Sequence, residues 1–129
     1  MLNNIMVFRN KELMDCKLTC VIDRNKRPYF LVSDIFKTLF NLTRIHDSNI
    51  KLFKEVIDST HLIWVDVATS KNIGFGNGYY LITKTGLFNL LRKYEKRIEI
   101  AHQYNKWVNA VVFPSIDKAM YERKHFNRY

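Results

Sequence analysis

The sequence predicts an α+β domain: an N-terminal antiparallel β-meander and a hairpin packed against four to five helices. Short β-rich segments separated by polar turns fill the first third, and apolar residues recur at helical spacing over most of the second half. The 129 residues are 47% hydrophobic and include only 4 Gly and 2 Pro, so the chain can bury a core without metals or cross-links. We therefore expect a single domain over residues 1–129.

The first three strands are predicted from composition and alternation. Their segments are NIMVFRN, LTCVID and YFLV, and the polar turn DRNKRP separates the last two. The period then changes, because the apolar residues of VSDIFKTLF fall on one face of a short helix. Ser33 or Asp34 is placed to cap that helix.

A second helix is expected from Asp47 or Ser48 to Ile57, after the polar connection NLTRIHDSN. Its inward residues are Ile50, Phe53, Val56 and Ile57. Two short helices joined by a polar turn fit a helix-turn-helix, although such a pair is more often only a packing unit.

The segments LIWVDVA and YYLIT predict two strands joined by TSKNIGFGNG, in which Asn77-Gly78 is a tight-turn signal. The glycines do not form a phosphate loop, because no helix follows directly and no Gly-Lys-Ser/Thr closes the motif. We expect a flexible hairpin tip here.

A third helix is predicted in TKTGLFNLLRKY, capped by Thr83 or Thr85, with an apolar stripe formed by Leu87, Leu90, Leu91 and Tyr94. A long helix should follow from about Ile98, and its stripe places Trp107 and Val111 in the core, together with Ala101, Tyr104 and Val108. Pro114 should end or kink this helix, because its ring would collide with the carbonyl of Ala110. The helix restarts as a basic tail, SIDKAMYERK.

The charge predicts a polyanionic partner. The net charge is +9, and residues 84–129 hold 10 Lys and Arg against 4 Asp and Glu. An excess of this size on a small domain is typical of nucleic-acid binding, although many basic domains are merely soluble.

The strongest candidate contacts lie in RKYEKR, whose four cations fit a phosphate clamp at the junction of two helices. The alternative is a solvated corner. Further candidates are the hairpin lysines and the basic residues of the second helix. The full set is Arg92, Lys93, Lys96, Arg97, Lys71, Lys84, Arg44, Lys51 and Lys54.

Catalytic chemistry is not predicted. The sequence shows no paired carboxylates near a base, no nucleophile–His arrangement and no cofactor loop, so we expect neither an enzyme nor a bound cofactor. Cys16 and Cys20 would lie about 13 Å apart on one strand face, too far for a disulfide. They also lack a second close ligand pair for a metal.

We expect an intracellular protein, in the nucleus or cytoplasm of a host cell, that is neither secreted nor membrane-bound. No apolar run approaches the ~18 residues of a membrane span. The N-terminus MLNNIMVFRN also lacks the pattern of a secretory signal.

Four segments carry a resemblance to a known family: IMVFRN, PYFLVSDIFKTL, YYLITKTGLFNLL and a closing pattern of Ala101, Tyr104, Trp107-Val108 and Pro114-Ser115-Ile116. Over about residues 4–119 the chain resembles the Bro-N domain, the N-terminal domain of viral BRO proteins and phage antirepressor-like proteins. Residues 115–129 form the basic helical tail. The chain departs from the family at LFNLTRIHDSN, which has no glycine and a few extra residues.

The resemblance implies a viral or phage DNA-binding module that modulates transcription or replication, mainly through contacts to the phosphate backbone. RNA remains an alternative ligand. The second hypothesis is an antirepressor-type module that binds a repressor or another regulatory protein, with Tyr121 and Phe126 as candidate contacts. The oligomeric state, a homodimer included, is left open.

Overall fold

The computed structural model describes residues 4–66 and 78–126, apart from the side chains of 122–126. The sheet and first two helices comprise β1 (Asn4–Asn10), β2 (Cys16–Ile22), β3 (Pro28–Leu31), α1 (Val32–Leu39), α2 (Asp47–Val56), β4 (Leu62–Asp66) and β5 (Gly78–Thr83). The remaining helices are α3 (Lys84–Tyr94), α4 (Glu99–Trp107) and α5 (Phe113–Phe126), with a 3₁₀ turn at Ser59–His61 and a π-helical turn at Val108–Val112. The predicted α+β class is confirmed.

All five strands form one antiparallel sheet in the order β1-β2-β3-β5-β4. The meander and the hairpin therefore join through β5, which pairs with both β3 and β4. At the join, Phe30 lies opposite Ile82, and both are fully buried. The predicted hairpin tip, residues 67–77, lies outside the described residues.

The core lies between one face of the sheet and the helices. The alternation of β2 shows the principle, because Cys16, Leu18 and Cys20 are buried while Lys17 is exposed. The inward residues of the helices complete the core, and the largest fully buried side chain is that of Tyr104. The inward face predicted for the second helix is confirmed, with Phe53 and Ile57 buried and Ile50 and Val56 packed against the core.

The predicted cap of the first helix is wrong. The residue that precedes α1 is Leu31, and no side chain caps the helix. The carboxylate of Asp34 accepts the Thr19 N–H instead, at 2.9 Å, and is buried. The reason lies in the sheet: β3 pairs with β2 only along Cys20–Ile22, so the Thr19 N–H needs a partner from elsewhere.

The predicted cap of the third helix is confirmed. The hydroxyl of Thr83 accepts the N–H of Gly86 at 3.0 Å, which satisfies one of the unpaired donors at the start of α3. The same hydroxyl lies 2.9 Å from Nδ1 of His61, so the 3₁₀ turn before β4 is tied to the start of α3.

The predicted burial of Trp107 and Val111 is wrong. Val111 is 45% exposed, and Trp107 is only partly buried against the core. The buried residues instead follow steps of four, at Tyr104, Val108, Val112 and Ile116. Four residues rotate about 40° further than one full turn of an α-helix, so residues spaced by four drift around the helix axis. A turn with more residues cancels this drift and keeps them on one face. The π-helical turn is such a turn, since the N–H of Phe113 donates to the carbonyl of Val108, five residues back.

Pro114 is the second residue of α5, directly after the π-helical turn. The chain stays helical on both sides of the proline, so the predicted kink is not confirmed. The predicted helical tail is present and reaches Phe126.

We expect Gly86→Ala to destabilise the protein by about 1–3 kcal/mol, although Ala is the better helix former by about 1 kcal/mol. A Cβ at this position would lie 2.6 Å from Cβ of His61 and 2.7 Å from Cγ1 of Ile82. Urea denaturation measures the change. Asn89→Ala, at an exposed position of the same helix, is the control and should stay within about 0.5 kcal/mol. A Gly86→Ala variant more stable than wild type would contradict this packing.

We expect Tyr104→Phe to leave stability unchanged or to raise it by about 1 kcal/mol, because it removes an unpaired buried hydroxyl. That hydroxyl has no hydrogen-bond partner among the described residues, and burial holds the pKa of Tyr104 well above its usual value. Tyr104→Ala should cost about 3–5 kcal/mol, more than Trp107→Ala, because Tyr104 is the more deeply buried ring. Chemical denaturation of the three variants gives the order. A Phe variant as unstable as the Ala variant would show that the hydroxyl is bonded.

Candidate nucleic-acid interface

Four cations predicted to contact phosphate lie together between α3 and α4. Arg92 and Lys93 belong to the last turn of α3, and Lys96 and Arg97 to the short connection that follows. All four side chains are exposed. We call these four residues the basic corner.

Hydrogen bonds hold the backbone of the basic corner. The carbonyl of Tyr94 accepts the N–H groups of Arg97 and Ile98, each at 2.9 Å. The side-chain amide of Asn105 in α4 donates to the carboxylate of Glu95 at 3.0 Å. The four cations are therefore presented by a closed turn that is tied to the neighbouring helix.

The basic corner keeps a net positive charge, because its four cations are accompanied by one carboxylate within residues 92–97, that of Glu95. None of its four cations forms an ion pair with a described residue; the ion pair found among those residues joins Lys17 and Asp34, at 4.0 Å. The guanidinium of Arg92 lies 5.5 Å from the ring centre of Phe88. Arg92 and Lys93 also stabilise α3, because cations in the last turn of a helix interact favourably with the helix dipole.

A second basic surface lies where α2 meets the hairpin of β4 and β5. Lys51 and Lys54 are exposed on α2, and Nζ of Lys54 lies 5.9 Å from the ring centre of Tyr80 in β5. Trp64 of β4, 47% exposed, packs edge-on against Tyr80 with ring centres 4.8 Å apart. We call Lys51, Lys54, Trp64 and Tyr80 the α2–hairpin surface.

A series of aromatic rings connects the two basic surfaces. Successive ring centres are 4.4–6.2 Å apart along Trp64, Tyr80, Phe53, Phe36, Phe40 and Tyr94. The series begins in the α2–hairpin surface and ends at the residue whose carbonyl closes the basic corner. Arg44 is exposed in the connection between α1 and α2, four residues after Phe40. The sequence alone did not join these groups.

The structure separates Lys84 from the other predicted contacts. Lys84 begins α3, whereas Arg92 and Lys93 of the basic corner lie in its last turn, about 12–14 Å further along the helix axis at 1.5 Å per residue. Lys84 directly follows β5, so it lies next to the hairpin as predicted, at the end of β5 that is opposite the hairpin tip. Its Nζ lies 4.7 Å from the ring centre of Phe113. Lys71 lies outside the described residues.

Neither Trp64 nor Tyr80 is among the candidate site residues predicted from the sequence. Alternation in LIWVD and YYLIT places every second residue on one face, but it does not say which residues meet. The register decides that, since Trp64 lies opposite Tyr80. The ring of Trp64 also covers Gly78, where an added Cβ would overlap it.

Among the described residues, a further group of polar side chains lies beside a cleft. A cleft of about 240 Å³ between the β1–β2 turn and α1 is lined by Lys17, Asp34 and Lys37 among others, but the Asp34 carboxylate is already bonded to Thr19. Across residues 4–66 and 78–121, no group of three His, Cys, Asp or Glu residues is suited to a metal ion. The expected lack of catalysis and of a cofactor stays a prediction.

Among the described helices, none has both the length and the apolar character to cross a bilayer.

We expect both cysteines to be inert towards Ellman's reagent in the folded protein at pH 8. Burial raises the pKa of the Cys20 thiol to about 12 and also raises that of Cys16, so both stay protonated and shielded. Absorbance should show no reaction in buffer and two thiols after denaturation. Rapid reaction of either thiol in buffer would contradict the burial of β2.

Comparisons with protein-family models, with curated proteins and with solved structures find no match to this chain. The resemblance to the Bro-N domain therefore stays a prediction.

Proposed function

We propose that this domain binds DNA mainly through contacts to the phosphate backbone, and that the basic corner carries the binding. The observation that supports this most is four neighbouring exposed cations, two in the last turn of α3 and two in the closed turn that follows, none of them in an ion pair with a described residue. Residues 92–97 carry four positive charges against one negative charge, on Glu95, and this net positive charge favours a polyanion.

The α2–hairpin surface offers a second region of contact. Lys51 and Lys54 are exposed there, and Arg44 precedes them in the connection to α2. In this proposal they bind phosphates beyond those at the basic corner, and Lys71 and Lys84 add weaker contacts. Because Lys84 lies at the far end of α3, it would reach a separate part of the bound strand.

The biological role follows from the resemblance. A Bro-N-like module would act inside an infected host cell, in the nucleus or cytoplasm, as a viral or phage regulator of transcription or replication. It would need neither a cofactor nor an enzymatic activity. RNA presents the same phosphate charge and is the alternative nucleic acid.

The second candidate function is binding of a repressor or another regulatory protein. Exposed apolar side chains support it, above all Tyr121, which is 63% exposed on α5. The side chain of Phe126, the other predicted contact, lies outside the described residues. Aromatic residues are more frequent at protein–protein interfaces than on the rest of the protein surface.

We expect simultaneous replacement of Arg92, Lys93, Lys96 and Arg97 by Ala to weaken duplex binding while the fold survives. Each phosphate contact contributes about 0.9 to the slope of log affinity against log salt, so the slope should fall by roughly 3–4. Fluorescence anisotropy of a labelled duplex over a salt series gives this slope. Contacts to base edges would instead change the preference among sequences and leave the slope nearly intact.

The matched control removes four exposed cations from the turns at the two ends of β2: Lys11, Arg24, Lys26 and Arg27. It lowers the net charge equally, so a slope that changes as much would assign the effect to overall charge. A folded corner variant with wild-type affinity and slope would make the basic corner only a soluble surface. Variants of Lys51 and Lys54, then of Lys71 and Lys84, would follow. If the wild type binds neither DNA nor RNA at ~50 mM salt, the proposal fails and a protein partner becomes the leading function.

A further inference from the structure

The strand β1 forms one edge of the described sheet. Its one hydrogen-bonded neighbour among the described strands is β2. Proteins usually protect edge strands by making them short or by adding proline, charges or bulges. β1 is seven residues long, contains no proline and no residue of positive φ, and carries one charge, on Arg9.

The side chains of β1 divide by face. Met6 and Phe8 pack against the core, whereas Ile5 and Val7 point to the opposite face and are 55% and 50% exposed. The other edge strand, β4, is shorter, at five residues, and ends in Asp66. Each edge strand carries one charge, and the longer of the two, β1, is the one with two neighbouring exposed aliphatic side chains.

We infer that β1 pairs antiparallel with β1 of a second copy of this chain, across a two-fold axis at Val7. Each Val7 then lies opposite its own equivalent. Met6 lies opposite Phe8 of the other copy, Ile5 opposite Arg9, and Asn4 opposite Asn10. The two five-stranded sheets become one continuous sheet of ten strands.

The sequence of β1 favours a second copy over an unrelated strand. NIMVFRN is nearly symmetric about Val7 in chemical type, with Met6 and Phe8 next to the centre and asparagines at both ends. A two-fold axis pairs positions equidistant from the centre, so the core-side apolar residues meet apolar residues and asparagine meets asparagine. Methionine beside an aromatic ring is itself a favourable contact.

Charge selects the antiparallel arrangement. In the antiparallel arrangement, each Arg9 lies beside Ile5 of the other copy. The Cα atoms of the two arginines are then about 14 Å apart, from four residues along the strand and one spacing between strands. That separation exceeds the Debye length of about 8–10 Å, so their repulsion is screened. A parallel pair in matching register would place the two arginines about 5 Å apart.

The expected dimer is weak. One pair of strands covers less than the ~800 Å² per partner of a standard interface. We therefore expect a dissociation constant on the order of 10–100 µM. The dimer does not depend on nucleic-acid binding and is tested without it.

Sedimentation equilibrium of the full chain tests the association over about 5–500 µM. The average mass of the wild type should rise from 15.5 kDa towards twice that value. Val7→Lys places two ammonium groups at the axis and should keep the chain monomeric. Val111→Lys is the matched control, since Val111 is exposed to a similar extent, 45% against 50%, but lies in the π-helical turn; it should dimerise like wild type.

Cysteine cross-linking tests the register. Residues opposite each other in an antiparallel pair have Cα atoms about 4.5–5.5 Å apart, within disulfide range. Val7→Cys should therefore form a covalent dimer on mild oxidation. Arg9→Cys should not cross-link to itself, but it should cross-link to Ile5→Cys when the two variants are mixed. The native Cys16 and Cys20 are buried and should not compete.

Three results would overturn the inference. The first is a wild type that stays monomeric at the highest concentration, and the second is an equal loss of the dimer in both lysine variants, which would place the interface elsewhere. The third is self-cross-linking of Arg9→Cys as fast as that of Val7→Cys, which would exclude the register. Circular dichroism checks that Val7→Lys is folded, and should it unfold, cross-linking decides alone.

Discussion

The pairing of β5 with β3 is the contact on which the rest of this fold depends. The two strands are about fifty residues apart in sequence, and their pairing joins the meander to the hairpin in one sheet. It places the fully buried Phe30 and Ile82 side by side at the centre of the core. β5 leads directly into α3, so the same pairing fixes the helix whose last turn carries half of the basic corner. Such a contact closes a long loop and needs the burial of both residues to offset the lost chain entropy.

The aromatic rings transmit that arrangement to the surface. Phe53 is the one buried residue within α2, and it contacts Phe36 of α1 on one side and Tyr80 of β5 on the other. The position of the α2 lysines therefore follows from ring packing in the interior. The proposed contacts to nucleic acid are sequence-independent charges, yet their spacing is set by apolar side chains.

Two polar side chains buried in the core, Asp34 and Tyr104, differ in their hydrogen bonding. One oxygen of the Asp34 carboxylate accepts the Thr19 N–H, which has no partner on β3. The other oxygen of the same carboxylate faces Nζ of Lys17. The hydroxyl of Tyr104 has no partner among the described residues, although its ring fills the centre of the helical layer. Burying an unpaired hydroxyl costs free energy, so the apolar area of the ring must outweigh that cost.

Local patterns in the sequence were sufficient for the strands and the inward face of α2, and they limited the cap of α3 to Thr83 or Thr85, because each depends on residues within one or two turns. They were also sufficient to find the four cations of the basic corner, which are neighbours in the chain. Only the tertiary structure decided that Asp34 accepts a hydrogen bond from β2 rather than capping α1, and that Val112 rather than Val111 is buried. It also decided that Trp64 meets Tyr80 beside Lys54 while Lys84 stands apart. These outcomes depend on strand register and on one wider helical turn, and both are set by contacts between residues far apart in the chain.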